Sequence, residues 1–343
     1  MRNKHRFCFE NTEKGEHKMR KLVFFTSMCV LCGAAMTAVP AYADGGIPTL
    51  HELDAERMDL DTALQRTYIT CAGIDEGLAD MKKMAGINTA VSGVGTGLAV
   101  GDAVVGFSKA KLDKEIDKLE EMLAEKSVDQ FGTSLGELDP NFAQKYGLNE
   151  NLTVSQGNSS LEEATAKSKK LGNWRTGLMA GTTATQVASA IIAAKNRVSE
   201  DLQGQVDECI ASVKMLQRAI AEARMNGEDV TEAQRIYSTC REYEYVDLSP
   251  IDKRAKGAMI SSTIAAVTGG VGTVTSAMAN TDATRNDNTD EGKKKEKNLN
   301  TASNALAVGS GVAGATATIF NATQIAAIKK VASVSEKCTE VLK

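Results

Sequence analysis

The chain has 343 residues, a formal net charge of −4 and an aromatic content of only 4%. The near-neutral charge gives no reason to expect nucleic acid as a partner. His51 is the only histidine after residue 43. The sequence therefore offers too few histidines for a histidine-based metal site and a single candidate for a catalytic triad. The core must be built from Ala, Gly, Val, Ile, Leu and Met, and a total of four prolines argues against a loop-rich fold.

Residues 20–43 are typical of a secretory signal. A positive end, Arg20-Lys21, precedes an apolar run and the small-x-small cleavage site Ala41-Tyr42-Ala43. Met19 fits a start codon better than the first methionine, so we predict that residues 1–43 are a leader and a cleaved signal peptide. The signal predicts export into a bacterial envelope, either to the periplasm or in association with the inner membrane.

Two stretches of the chain are nearly the same. The same segment occurs twice, as Gln65-Arg66-x-Tyr68-x-Thr70-Cys71 and as Gln234-Arg235-x-Tyr237-x-Thr239-Cys240. Each copy leads into a long helical pattern that ends in a stretch rich in Gly, Ala and Thr. The echo predicts two duplicated helical hairpins, each with a polar connector inside it. The hairpins are 44–228, with its connector at 127–159, and 229–343, with its connector at 281–298.

The first hairpin shows helical spacing from residues 57–82 onward. After a small-residue stretch, residues 112–123 place leucine and isoleucine at coiled-coil spacing. Beyond the connector, Ser160-x-x-Glu163 is a capping box that restarts a helix. This helix is predicted to continue past Cys209 to a turn at Asn226-Gly227.

The second hairpin is shorter. Thr231-x-x-Gln234 is predicted to cap the helix that carries Cys240, and Ser249-Pro250 supplies an N-cap and a first-turn proline for the next helix. A very polar segment then separates two small-residue stretches, and the last helix reaches Cys338.

Small residues recur at every fourth position in four stretches of the chain. This spacing lets helix backbones approach closely, as in glycine-zipper packing, and glycine costs about 1 kcal/mol per helical position relative to alanine, so its retention indicates a packing role. β-branched residues here would also suit strands, but the four-residue spacing and the helical flanks favour helices. We therefore predict an all-α fold in which long antiparallel helices form a four-helix-type bundle. The predicted helix-packing residues are Gly93, Gly97, Gly101, Gly177, Gly181, Ala265, Gly269, Ala305, Gly309 and Ala313.

Four cysteines remain after residue 43, namely Cys71, Cys209, Cys240 and Cys338, and an even number in an exported protein predicts disulfides. If successive helices alternate in direction, all four cysteines lie at the same end of the bundle. Pairs Cys71–Cys209 and Cys240–Cys338 would close each hairpin separately, and we favour them because a duplicated unit tends to keep its own bond. Pairs Cys71–Cys338 and Cys209–Cys240 would close the whole bundle instead.

Few other residues suggest a site. Asp102 would be an ion-path residue if it lay in lipid, but we interpret it as a residue at the point where a helix leaves the core. Trp174 is either an interfacial anchor or an ordinary packing aromatic. Residues 309–314 match a dinucleotide pattern that needs a preceding strand, so we do not assign them to a nucleotide. Tyr68 and Tyr237 are expected to pack beside the disulfides.

The sequence suggests no catalytic, cofactor-binding or metal-binding residue and no small-molecule substrate. We expect a non-enzymatic protein with a structural or association role in the envelope, in contact with itself, a membrane or another envelope protein. The alternative is a membrane-embedded oligomeric channel or pore, and an enzyme of unseen type is the least favoured. The small-residue stretches match the ~30 Å hydrocarbon core of a bilayer, but Thr, Ser and Asn dilute them, so a spanning bundle and a soluble bundle both remain open.

Overall fold

The computed structural model describes residues 59–124, 138–148, 154–285 and 289–343. Every regular element in these ranges is helical, which confirms the all-α fold class. The predicted signal peptide and part of the first connector lie outside the described residues. The helices are α1 (Leu60–Cys71), α2 (Ile74–Ala124), α3 (Pro140–Lys145), α4 (Val154–Lys195), α5 (Glu200–Met225), α6 (Thr231–Cys240), α7 (Ser249–Ala279), α8 (Asp282–Arg285) and α9 (Asp290–Leu342), with a 3₁₀ turn at Arg241–Tyr245.

Four long helices, α2, α4, α7 and α9, pack side by side. α2 and α7 each have extensive contacts with both α4 and α9. Neighbouring helices run antiparallel, because Asn88 of α2 meets Asn321 of α9 while Glu120 of α2 meets Lys293 of α9. This arrangement brings the small-residue stretches of all four helices to the same height.

The larger apolar cluster lies at one end of the long helices, which we call the head. It is formed by α1, α5, α6 and the 3₁₀ turn, packed on the adjoining ends of α2, α7 and α9. Its buried aliphatic side chains include Ile74, Leu78, Val213, Leu216 and Ile328. Complete burial of such a side chain contributes about 1.5–3 kcal/mol, so the head provides conventional hydrophobic stabilisation.

A smaller apolar cluster lies at the opposite end, which we call the far end. It joins α3 to α2 and to the first part of α4. Ile116 and Leu119, from the run with coiled-coil spacing, are buried there beside Phe142 and Tyr146, whose ring centroids are 4.8 Å apart. The amphipathic run therefore packs within the chain at this end.

Helix ends agree with the sequence where a particular residue is required. Gly227 has a φ of +80°, a backbone conformation that favours glycine, and it lies in the turn predicted at Asn226-Gly227. Pro250 lies in the first turn of α7, as predicted. α6 ends at Cys240 of the repeated segment, and α1 likewise ends at Cys71, so the helical stretch predicted over 57–82 is divided before Ile74.

The first half of the chain departs from the prediction at both ends of α4. Ser160 does not cap this helix, which begins at Val154 inside the predicted connector. The Ser160 hydroxyl instead donates to the carbonyl oxygen of Tyr146 at 2.9 Å. α4 also ends at Lys195, and a new helix begins after Ser199, whose side chain accepts a backbone N–H as its N-cap. Helical periodicity continues through this break, which is why the pattern did not reveal it.

The second half departs from the prediction at three helix starts. Ser249 is the first residue of α7 and not its cap, because Leu248 occupies the N-cap position. Thr231 is the first residue of α6 and not its cap, because Val230 occupies the N-cap position. α9 begins at Asp290, inside the predicted connector 281–298, with the Thr289 hydroxyl accepting a backbone N–H at its start. The lysine and glutamate run that resembles a solvated linker has high helix propensity, so it extends the helix once a cap is present.

Candidate functional site

The middle of the long helices is polar inside. Besides alanine, glycine and Met179, most side chains buried between the head and the far end are hydroxyls and amides. Such groups are costly to bury unless they find hydrogen-bond partners. The buried uncharged polar side chains of this region are Asn88, Ser92, Thr182, Gln186, Ser189, Ser262, Ser276, Ser303, Ser310, Asn321 and Gln324.

Hydrogen bonds among these groups join three of the long helices at one height. Asn88 Nδ2 of α2 donates to Oδ1 of Asn321 of α9 at 2.9 Å, and Asn321 Nδ2 donates to Ser92 Oγ at 3.3 Å. From α4, Gln186 Nε2 donates to the Ser92 carbonyl oxygen at 3.4 Å. The interior is therefore filled by polar side chains in contact with one another.

Glycine lets these side chains enter the interior. A Cβ atom at Gly95 or Gly314 would lie 2.6 Å from Nε2 of Gln186, and one at Gly272 would lie 2.0 Å from Cε of Met179. Both separations are far below van der Waals contact, so a larger residue would displace the Gln186 or Met179 side chain from its place between the helices. These glycines were not predicted because they fall outside the four-residue pattern. The signal that would have identified them is their spacing of three or four residues from buried serine and alanine.

The predicted small residues divide between the inside and the outside of the helices. Ala265 and Gly269 are buried, and Gly101 and Gly181 each face a leucine of the neighbouring helix. Within one chain, the four-residue pattern therefore does not mark a single packing face. The remaining predicted residues lie toward the outside. An added Cβ at Gly93, Gly97, Gly177 or Gly309 would meet nothing within 4 Å. Ala305 is exposed and Ala313 is half-buried.

The outer surface at the same height is apolar. Four helices of the described residues are long and apolar enough to cross a membrane. Asp, Glu, Lys and Arg are absent from residues 84–108, 176–194, 257–281 and 298–328, with the exception of Asp102. The shortest of these stretches extends about 28 Å along a helix. The exposed large apolar side chains within them are Ile87, Val94, Val100, Val104, Phe107, Val187, Ile191, Ile260, Ile264, Val274, Val308, Val312 and Ile319.

Two outward aromatic side chains lie close to one edge of this apolar surface. Trp174 of α4 is 62% exposed and Phe107 of α2 is 59% exposed. They lie at the same height, because their sequence neighbours Arg175 and Gly106 adjoin each other across the two helices. The interpretation of Trp174 as a packing aromatic is therefore wrong within this chain.

An ion pair lies inside the same edge. Asp102 and Arg175 are 0% and 1% exposed, and Arg175 Nε lies 3.4 Å from Asp102 Oδ1, without the alignment of a hydrogen bond. Arg175 Nη1 donates to the Asn300 carbonyl oxygen at 3.5 Å. Gly106 provides the space, since a Cβ there would lie 3.1 Å from the guanidinium carbon. Asp102 therefore lies buried between the helices and not at a point where a helix leaves the core. Arg175 was not predicted as a partner because it closely follows a lysine-rich part of α4, residues 167–170.

A charged cleft of about 570 Å³ continues from this pair toward the far end, between α2, α4 and α9. Lys109 is buried beside it and contacts Asp113 and, at 3.5 Å, Glu296. Burial raises the pKa of Asp117 in the cleft wall, and the Lys293 ammonium partly offsets this effect. The cleft therefore contains paired charges of both signs.

The head contains all four cysteines in two pairs. Cys71 is bonded to Cys209, with a Cα–Cα distance of 4.9 Å, and Cys240 is bonded to Cys338, with a Cα–Cα distance of 4.7 Å. This is the pairing that closes each hairpin separately, and all four sulfurs are buried. The repeated tyrosines differ from the expectation, because Tyr68 is about half exposed whereas its counterpart packs partly against the head.

No group of His, Cys, Asp and Glu side chains that could hold a metal ion occurs among the described residues. The dinucleotide-like segment 309–314 lies in the interior of α9 and lacks the strand-to-helix turn that binds a pyrophosphate. No protein-family model, curated protein or solved structure matches this chain.

Proposed function

We propose that this chain is a membrane-spanning protein of the cell envelope with a non-enzymatic, structural or associative role. The observation that carries the proposal is the reversed polarity of the long helices, which have amides, hydroxyls and an ion pair inside and valine, isoleucine and phenylalanine side chains outside. In water this arrangement would forgo about 1.5–3 kcal/mol for each large apolar side chain left exposed. In lipid the outward side chains are solvated, and polar groups must face the protein interior.

The order of the helices supports an orientation with the head on the exported side. α2, α4, α7 and α9 alternate in direction, so α1, α5, α6 and the end of α9 all belong to the head. A chain exported at its N-terminus and crossing four times would bring the whole head to the oxidising side, where disulfides persist. Trp174, with Phe107 beside it, would then lie near the opposite membrane surface, the position that the amphipathic tryptophan side chain prefers.

We further propose that the four long helices are a four-helix bundle of two duplicated hairpins and that its glycine-zipper faces serve association between proteins. The outward small residues Gly93 and Gly97 of α2, and Ala305 and Gly309 of α9, leave shallow surfaces on which the helix of a neighbour could approach closely. The partner would be a second copy of the chain or another envelope protein.

Alkaline carbonate extraction of membranes tests the proposal. The mature chain is expected to remain in the membrane pellet with a known integral protein, while a known peripheral protein is released. High pH would also ionise groups in the head and destabilise it. The same fractionation is therefore repeated with 4 M urea at neutral pH. Release of the chain into the soluble fraction under both treatments would contradict membrane spanning.

A second candidate function is a pore formed between several copies. The outward small residues favour it, whereas the interior of one copy contains buried polar side chains in contact across the helices. Ion flux across liposomes that contain the purified chain tests this candidate, with Gly97→Ile as the variant expected to reduce assembly and flux together. Membrane-inserted protein that forms oligomers without any flux would remove the pore and leave the structural role.

A further inference from the structure

A groove of about 640 Å³ lies on the head, between the 3₁₀ turn, the start of α7 and the last third of α9. Its walls carry two cations, Arg254 and Lys330, and two carboxylates, Glu242 and Asp247. Tyr245, an exposed aromatic side chain, stands at its rim. The floor is apolar and consists of Val246, Pro250, Ala326, Ala327, Val331 and Val334.

The two carboxylates of the groove already have partners within the chain, whereas its two cations have no ion-pair partner among the described residues. Glu242 Oε2 pairs with Lys337 Nζ at 3.5 Å. Asp247 accepts the backbone N–H of Ser249 at 2.8 Å and the Ser249 hydroxyl at 2.9 Å. Among the described residues, neither Arg254 nor Lys330 has an ion-pair partner within 4.0 Å. The groove therefore offers two available positive charges to an anion.

The height of these cations matches a membrane surface. Arg254 precedes the uncharged stretch 257–281 by three residues, and Lys330 follows the uncharged stretch 298–328 by two residues. At ~1.5 Å per residue they lie about 3–5 Å beyond the ends of those stretches. The headgroup layer on each side of a bilayer is about 5–8 Å thick, so both cations fall within it.

The groove is also continuous with the lipid-facing side of α9. Ala326, in the groove floor, is followed down the helix by Thr323 and Ile319, which lie on the same outward face. An acyl chain leaving the groove would therefore run along exposed, uncharged side chains and reach Ile319, which is 63% exposed. A free anion would use the cations alone and leave the apolar floor in water.

We propose that this groove binds the phosphate of an anionic phospholipid headgroup in the head-side leaflet, with Arg254 and Lys330 as the phosphate ligands and the apolar floor against the start of an acyl chain. The proposal rests on the membrane-spanning function proposed above. Arginine favours phosphate through its paired N–H donors, and lysine adds a second point charge. Basic pockets between spanning helices bind anionic headgroups on the cytoplasmic or matrix side of membranes, and the groove offers the same chemistry on the head side.

Native mass spectrometry of the full mature chain in detergent tests the site, with phosphatidylglycerol and phosphatidylcholine as the probes. The test variant is Arg254→Gln with Lys330→Gln. The matched control is Lys253→Gln with Lys256→Gln, which removes two positive charges from the same region of α7 without touching the groove. We expect the wild type and the control to prefer phosphatidylglycerol and the test variant to bind it about thirtyfold more weakly.

The outcomes separate the site from the membrane function. Equal phosphatidylglycerol binding by the two double variants, or equal binding of the two lipids by the wild type, would overturn the site. Displacement of the lipid by glycerol 3-phosphate at the same concentration would also overturn it, since a free phosphate would then suffice. Carbonate extraction of the same variants is expected to leave all of them in the pellet, whereas release of the wild type would contradict membrane spanning itself.

Discussion

A single charge on the outer surface of α9 distinguishes a membrane-spanning protein from a soluble one. Val312 is 63% exposed and lies close to the middle of the apolar surface. Its neighbour Gly311 faces Ala99 of α2, and Ala99 lies about midway between the outermost exposed apolar residues of that helix, Ile87 and Phe107. The change Val312→Asp therefore places a carboxylate near the proposed bilayer centre without disturbing the interior.

The expected magnitude follows from the cost of the charge in each solvent. In lipid, an aspartate at the centre of a spanning helix costs about 2.5–3.5 kcal/mol and the lost valine about 0.3–0.6 kcal/mol. The total of about 3–4 kcal/mol corresponds to a roughly 150- to 900-fold change in an equilibrium constant. In water, the same change at an exposed position is worth no more than about 0.5 kcal/mol.

Insertion of α9 in the full chain measures this difference. An engineered N-glycosylation site after the C-terminal residue is modified in microsomes when α9 crosses the membrane, so Val312→Asp is expected to lower the glycosylated fraction sharply. Met225→Asp is the matched control, because Met225 is 80% exposed but belongs to the head. An unchanged glycosylated fraction for Val312→Asp, or an equal loss for the control, would refute the assignment of the outer surface to lipid.

Three further predictions concern packing, pH and the disulfides. Gly95→Ala is expected to lower the free energy of unfolding in detergent by about 1–3 kcal/mol through overpacking, whereas Gly97→Ala should leave it unchanged. Equal effects of the two changes would contradict the assigned interior face. Burial raises the pKa of Tyr243 in the head from 10.0 to about 12, so the folded tyrosine stays protonated while the unfolded one ionises, and the free energy of unfolding should fall by about 2–3 kcal/mol between pH 10 and 12. Denaturant titrations at several pH values should show this fall in the wild type and not in Tyr243→Phe. The double change Cys71→Ser with Cys209→Ser should destabilise the head by about 2–5 kcal/mol, and non-reducing peptide mapping of the wild type should recover the 71–209 pair; recovery of a 209–240 pair would contradict the structure.

The features that the sequence predicted well are those fixed by local chemistry or by the repeat. The helical class follows from spacing and flanking patterns, and the turn at Gly227 follows from the need for a left-handed residue. The common end of the cysteines follows from alternating helices of similar length. None of these inferences requires knowledge of which face of a helix meets which neighbour.

The reversed polarity could not be predicted in this way. Serine, threonine and asparagine in the small-residue stretches lower the average hydropathy, and an average does not record the face on which they lie. Ser92, Asp102 and Gln186 share an interior only after α2 and α4 are placed against each other. The pairing of Asp102 with Arg175 likewise joins residues of different helices, and no pattern within either helix contains it.

α9 is one uninterrupted helix of 53 residues, about 80 Å long. It carries Glu296 in the far-end cleft, Lys330 in the head groove and Cys338 in a disulfide. An α-helix resists compression along its axis, so a small axial shift at one end moves all three groups by the same distance. Because the disulfide fixes α9 to α6, such a shift would also carry the second repeated segment with it, and the helix would transmit the displacement between the far end and the head.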